Sequence, residues 1–261
     1  MRFGSSTLLL QERSVCEALE GIARCGFQAA EVWIEHLWRT GESPEKVARW
    51  ARALELELSL HGASYDVNIS STNPGIRRES LCQAKESIVT AARLGAEVVV
   101  LHPGRLSSSR GSMEECWKRL QEAVVLMDEW ADREGVKVGL EAMENRPREV
   151  YVSPADVHRL LSVGWTNIGL TLDIAHAYTL MDPVDYVAQL DSRWIIHVHL
   201  SDSTEEIVHV PLGHGQLDIN AILRALSERY DGLVILEGYV PNQSEETVCS
   251  NRVYLQRLGW M

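Results

Sequence analysis

The chain contains no uninterrupted apolar run of about 18 residues, the length a membrane-spanning helix requires. Its opening segment, MRFGSSTLLLQER, has one early arginine and only three consecutive leucines, too few for the hydrophobic region of a secretory leader. These absences argue against a membrane partner and predict a cytoplasmic protein. Basic residues are scarce: 25 Lys and Arg stand against 37 Asp and Glu, for a formal charge of −12, and no concentrated Lys/Arg run offsets that average. Such a field repels polyanions, so DNA is not an expected partner. The five cysteines, Cys16, Cys25, Cys82, Cys116 and Cys249, are odd in number, scattered and without a CxxC pair, which predicts reduced thiols rather than disulfides or a zinc ribbon. No GxGxxG follows the first apolar strand, which argues against an open dinucleotide-binding sheet.

What is present is an alternation. Short apolar or β-branched runs are expected as strands at Arg2–Ser5, Ala29–Glu35, Glu57–His61, Glu97–His102, Lys137–Glu141, Ile168–Asp173, Trp194–His199 and Leu233–Glu237. Segments of helical periodicity lie between them, among them Pro44–Leu54, Ile76–Leu94, Ser112–Arg133, Pro154–Leu161 and Asn220–Arg229. Ser43 before Pro44 and Ser153 before Pro154 read as N-caps with a first-turn proline, while Gly95, Gly135 and Gly164 sit where helices should stop. Eight β/α units in 261 residues with no dividing linker predict an α/β fold, a (β/α)8 TIM barrel forming a single domain over 1–261.

Barrel enzymes build their sites at the C-terminal ends of the strands. Strands three to eight end in His61, His102, Glu141, Asp173, His199 and Glu237, six residues able to ligate a metal. One such residue is usually structural or solvated, but six in register point to a metal centre. Mixed imidazole and carboxylate donors suit a divalent transition metal, zinc or manganese, better than calcium or magnesium.

The local strings LHG, LHPG, LEAMEN, TLDIAHAY, HVHLSD, HVPLGHG and ILEGY resemble the xylose-isomerase-like TIM-barrel superfamily (AP endonuclease family 2), and within it the endonuclease IV type of metal cluster. The resemblance runs from His61 to Glu237 and includes the Tyr65-Asp66-Val67-Asn68 segment. It implies that His61 and His102 hold a first metal with Glu141 bridging, and that Glu141, Asp173, His199 and Glu237 surround a second. His176 and His209 match the third site, but its aspartate is replaced by Ile207, leaving Glu205, Glu206, His214 or Asp202 as substitutes. Two metals are therefore expected and the third stays open. Catalysis is expected from Glu141, His176 and Glu237.

Other residues carry weaker signals. Trp33 and Tyr65 are placed near the pocket with His214; Arg105 and Arg146, just beyond HPG and Glu141, are candidates to clamp a phosphate, as is Arg148. His197 alternates with His199 and is expected as a hydrogen-bonded core residue, and His158 as a surface one. The pair His61 and His102 favours a two-metal phosphoester hydrolase over a one-metal isomerase, because an isomerase does not need a second metal. The net charge disfavours DNA as its substrate, and the resemblance extends to the cobamide-remodelling phosphodiesterases, so the nucleotide-loop phosphoester of a corrinoid is the expected substrate. The alternative is a metal-dependent isomerase or epimerase of a sugar or sugar phosphate.

Overall fold

The strand-forming runs are short and rich in Val, Ile and Leu, and a parallel sheet buries both faces of such runs. In the computed structural model, which describes residues 1–240 and 244–261, they form β1 (Arg2–Ser6), β2 (Ala29–Trp33), β3 (Glu57–His61), β4 (Val98–Leu101), β5 (Lys137–Glu141), β6 (Ile168–Asp173), β7 (Ile195–Leu200) and β8 (Leu233–Leu236). These close into one barrel in sequence order, each strand parallel to the next and β8 returning to β1. The expected (β/α)8 barrel is therefore present.

The helices are α1 (Val15–Arg24), α2 (Ile34–Thr40), α3 (Pro44–Ala53), α4 (Pro74–Leu94), α5 (Met113–Glu134), α6 (Pro154–Leu161), α7 (Ile174–Tyr178), α8 (Pro183–Ala188), α9 (Ile219–Ser227) and α10 (Ser244–Arg257). The caps act as their sequences suggest. Ser43 accepts from Lys46 N–H, and Ser153 with Asp156 forms a reciprocal capping box, an arrangement worth about 1 kcal/mol per cap. Strand β2 differs from expectation: it ends at Trp33, and Ile34–Thr40 turns at once into α2. No side chain caps that turn, so the sequence carries no local signal for it. Among the described residues no helix is long and apolar enough to cross a membrane.

One expectation about cysteine is corrected. Cys25 at the end of α1 and Cys249 in α10 form a disulfide, while Cys16, Cys82 and Cys116 are free. The two partners are 224 positions apart and meet because closing the barrel brings α10 against α1.

Two loops that frame the mouth are tied together by Asn68. Its Oδ1 accepts N–H groups of Ser70 and Arg105 at 3.1 and 3.0 Å, and its Nδ2 donates to the Arg105 carbonyl at 2.9 Å. Gly104 of HPG sits against it at φ +78°, where a Cβ would stand 2.6 Å from Asn68 Oδ1. Only glycine meets both the backbone conformation and the space. The loop after β3 and the loop after β4 are thereby fixed beside each other, with His61 and His102 at their bases.

Candidate metal centre at the barrel mouth

Alternate residues of a strand face the barrel interior. Pairing aligns Glu31 with Ser59, Trp33 with His61, and Asp173 with His199, so polar side chains stack in layers toward the C-terminal end. A cavity of about 410 Å³ opens there, bordered by Trp33, His61, His102, Glu141, His176 and Glu237 among others. A groove of about 580 Å³ lies outside the barrel between α4 and α5 and holds none of the strand-end donors.

The donors of β5 to β8 converge on one atom. His199 Nδ1 lies 3.4 Å from Glu141 Oε1, 3.9 Å from Asp173 Oδ2 and 3.3 Å from Glu237 Oε2, with all four residues buried or nearly so. Glu141 Oε2, Asp173 Oδ2 and Glu237 Oε1 are buried without a hydrogen-bond partner. Unpartnered carboxylate oxygens are costly to bury, and a divalent cation among them removes that cost. The donor set therefore fits a metal ion. A second set adjoins it: His102 Nε2 is 3.0 Å and His61 Nε2 3.7 Å from Glu141 Oε2. Glu141 is thus shared by both sets.

The surroundings push the two glutamates apart. Burial works to raise Glu141, but His102, His199 and His61 outweigh it and hold the carboxyl well below its usual range. Glu237 is pushed up to about 7, first by burial and then by Glu31 and Glu141, against His199. His61 rises to about 9 despite burial, because it faces Glu141, Glu31 and Glu237.

The third set differs from the pattern implied by the resemblance. Ile207 is 59% exposed and points away. Asp202 is buried and accepts N–H groups of Ser203, Gly213, Gly215 and Leu217, which organises the β7 loop and leaves nothing for a cation. Glu205, Glu206 and His214 are exposed and do not border the mouth cavity. The carboxylate beside His176 and His209 is Glu144, from the loop after β5. His176 Nδ1 donates to the Ala142 carbonyl at 3.0 Å, so with neutral rings its Nε2 accepts from His209 Nε2 at 3.1 Å. Ser201 Oγ then donates to His209 Nδ1 at 3.0 Å. His209 holds this place at φ +59°, an uncommon backbone for a non-glycine residue, and burial pushes its ring down from the usual value.

Of the other expected residues, Trp33 stacks on His61 at 4.0 Å, and Tyr65, 58% exposed, tilts against Trp33 at the rim. The arginines do not reach the cavity. Arg105 is exposed, and Arg146 pairs with Glu144 while bordering a separate outer groove with Tyr178 and Glu206. Neither is placed to clamp a phosphate at the mouth, and Arg148 likewise does not border it. His158 is on the surface as expected, against Gln189 and Trp194. His197 is buried and contacts Glu31 at 2.8 Å. Glu31, Glu144, Gln11, Met143 and Tyr239 were not foreseen as site residues. Glu31 is marked in the sequence only as the lone charge in the buried strand AAEVW.

A closed (β/α)8 barrel with carboxylate and imidazole donors gathered at its C-terminal mouth is the framework of a metal-dependent barrel enzyme. Residues 19–257 match the family described as xylose isomerase-like TIM barrel, and the chain belongs to that family. A Methanocaldococcus jannaschii protein of uncharacterised role is 29% identical over 248 residues, 91% of this chain and 83% of its own length. A probable endonuclease 4 of Mycobacterium bovis is 28% identical over 193 residues, 70% of this chain and 73% of its own. A solved D-tagatose 3-epimerase-like protein superposes on 99% of this chain and 97% of its own with a TM-score of 0.87 and 26% identity.

The expectation of phosphoester hydrolysis, and with it the cobamide substrate, is corrected by these findings. A similarity that extends over nearly the whole chain, at 26% identity, is to an epimerase-like structure. Among the described residues bordering the mouth there is no lysine or arginine to bind a phosphoester. The pair His61 and His102, which favours two-metal hydrolysis in the sequence, is therefore compatible with an epimerase-like barrel.

Proposed function

We propose that this protein is a metal-dependent epimerase or isomerase of a small unphosphorylated sugar. The observation that carries the reading is the convergence of Glu141, Asp173, His199 and Glu237 around His199 Nδ1, one set of donors sufficient for one ion. A bound divalent cation, zinc or manganese from the donor mixture, supplies Lewis-acid polarisation of a ketose carbonyl and its neighbouring hydroxyl.

The chain's own residues do the remainder. The carbon beside the carbonyl loses its proton to a carboxylate while the C–H electron pair moves into an enediolate, and a proton then returns to carbon. Glu141 and Glu237 are the carboxylates of the donor set that border the mouth cavity. Both would serve as the proton carriers beside the sugar. Epimerisation takes the proton from one face and returns one to the other, so it uses both; isomerisation requires a single shuttle. Glu144, His176 and His209 offer polar contacts to sugar hydroxyls, and Leu8, Trp33 and Met143 form the apolar wall against which sugar C–H faces pack. Absence of lysine and arginine from the described lining favours a free sugar over a sugar phosphate.

The test is product analysis after incubating metal-loaded protein with free ketohexoses, ketopentoses and their phosphates. Conversion of a free ketose, faster than of its phosphate, is expected. Turnover of phosphates alone, or of no sugar in the panel, contradicts the proposal.

A further inference from the structure

Beneath the donor set, one turn deeper in the barrel, lies a carboxylate that borders no cavity. Glu31 is fully buried in the middle of β2 and reaches across the barrel to β7. Its Oε2 accepts from Ser59 Oγ at 2.9 Å and from His197 Nε2 at 2.8 Å. Its Oε1 lies 3.0 Å from His199 Nε2, an ion-pair contact in which both atoms are buried and neither has a hydrogen-bond partner. The far nitrogen of His197, Nδ1, is buried without a partner. A buried carboxylate is expensive to keep and is retained where its partners need it.

We propose that Glu31 is a positioning residue that fixes the tautomer and ring orientation of His199. A carboxylate only accepts, so a proton on His199 is favoured at Nε2, the nitrogen facing Glu31. The lone pair of the neutral ring is then at Nδ1, the atom that faces Glu141, Asp173 and Glu237. A carboxylate behind a ligating imidazole raises its basicity and locks its plane. His197 and Ser59 do the same service one step further back. Occupying Oε2, they leave Oε1 as the oxygen directed at His199 and prevent the Glu31 side chain from turning into the mouth. Glu31 touches neither substrate nor metal and acts only through His199.

This inference rests on the single-metal reading of the site, but its test reads metal and proton positions rather than sugar turnover. Zinc affinity is measured by chelator competition for the full-length protein and for Glu31→Met and Glu31→Gln. The methionine fills similar volume and offers no acceptor, while the glutamine restores one. Folding of each variant is checked by circular dichroism and thermal melting. A tenfold to hundredfold loss of zinc affinity in Glu31→Met is expected, with partial recovery in Glu31→Gln. A folded Glu31→Met that binds zinc as tightly as the parent overturns the proposal.

Imidazole ¹⁵N NMR of the zinc-loaded parent needs no variant and stands even if both fail to fold. A proton on His199 Nε2 with zinc on Nδ1 is the expected spectrum; zinc on Nε2 refutes the role. Loss of sugar epimerisation with these metal results intact would remove the proposed function and leave the positioning role standing.

Discussion

His199 Nδ1 and Glu237 Oε2 stand 3.3 Å apart at the base of the mouth cavity, an imidazole and a carboxylate brought together from β7 and the end of β8. The contact places Glu237 at the donor set while the cavity wall leaves the same carboxylate beside any bound sugar. Glu237→Gln keeps the side-chain shape and removes the proton carrier. Loss of about a hundredfold to ten-thousandfold in kcat is expected, with smaller change in KM, measured with whichever ketose is turned over best.

His102→Ala separates one-metal from two-metal chemistry. His102 faces Glu141 Oε2 at 3.0 Å, whereas the set around His199 Nδ1 uses the other oxygen of that shared carboxylate, Oε1. The variant should retain one equivalent of metal per chain by elemental analysis and lose no more than about tenfold in kcat. Loss of all bound metal would show that the adjoining set is required.

Metal affinity should rise with pH. His61 is raised to about 9 and Glu237 to about 7 in the metal-free protein, and His199 is held well above its usual value by Glu237 and Glu31 despite burial. A cation must displace those protons, so chelator competition at pH 6, 7 and 8 should show progressively tighter binding. The same groups set the stability of the metal-free fold. A raised histidine stabilises the fold fully below its unfolded value and ceases to as pH climbs through its folded value. A raised buried carboxyl likewise loses its contribution as pH climbs through about 7. The metal-free melting temperature should therefore fall between about pH 6 and 9, and zinc should flatten the decline; a metal-free protein that grows more stable over that interval contradicts the shifts.

Reduction should loosen the seam between α1 and α10. The Cys25–Cys249 bond closes a loop spanning 224 positions, for which the chain-entropy account gives about 5 kcal/mol. Cys249→Ser, or the parent in strong reductant, should melt several degrees lower by calorimetry. Equal melting temperatures with and without reductant would show that the bond is not formed in solution.

Much of this was legible because a parallel barrel writes its site in one place. His61, His102, Glu141, Asp173, His199 and Glu237 each follow an apolar strand, and closure carries all six to the same end. Glu31 was hidden because it is not at a strand end; its partners His197 and His199 lie 166 and 168 positions away. The sequence places a carboxylate for His209 within its own loop, whereas Glu144 comes from the loop after β5. Helix α2 begins without a capping side chain, and the disulfide depends on closure of the whole barrel. Reaction type was the least legible, since the same strand ends serve proton transfer beside a carbonyl and hydrolysis.

The most direct measurement is solvent deuterium incorporation by zinc- or manganese-loaded protein incubated with free ketoses in D₂O and followed by proton NMR. Exchange at the carbon beside the carbonyl, accompanied by appearance of the epimer or isomer and lost in Glu237→Gln, is the result this account predicts. A fully metal-loaded protein that exchanges no such proton in any free ketose, and instead cleaves a phosphodiester, would contradict it.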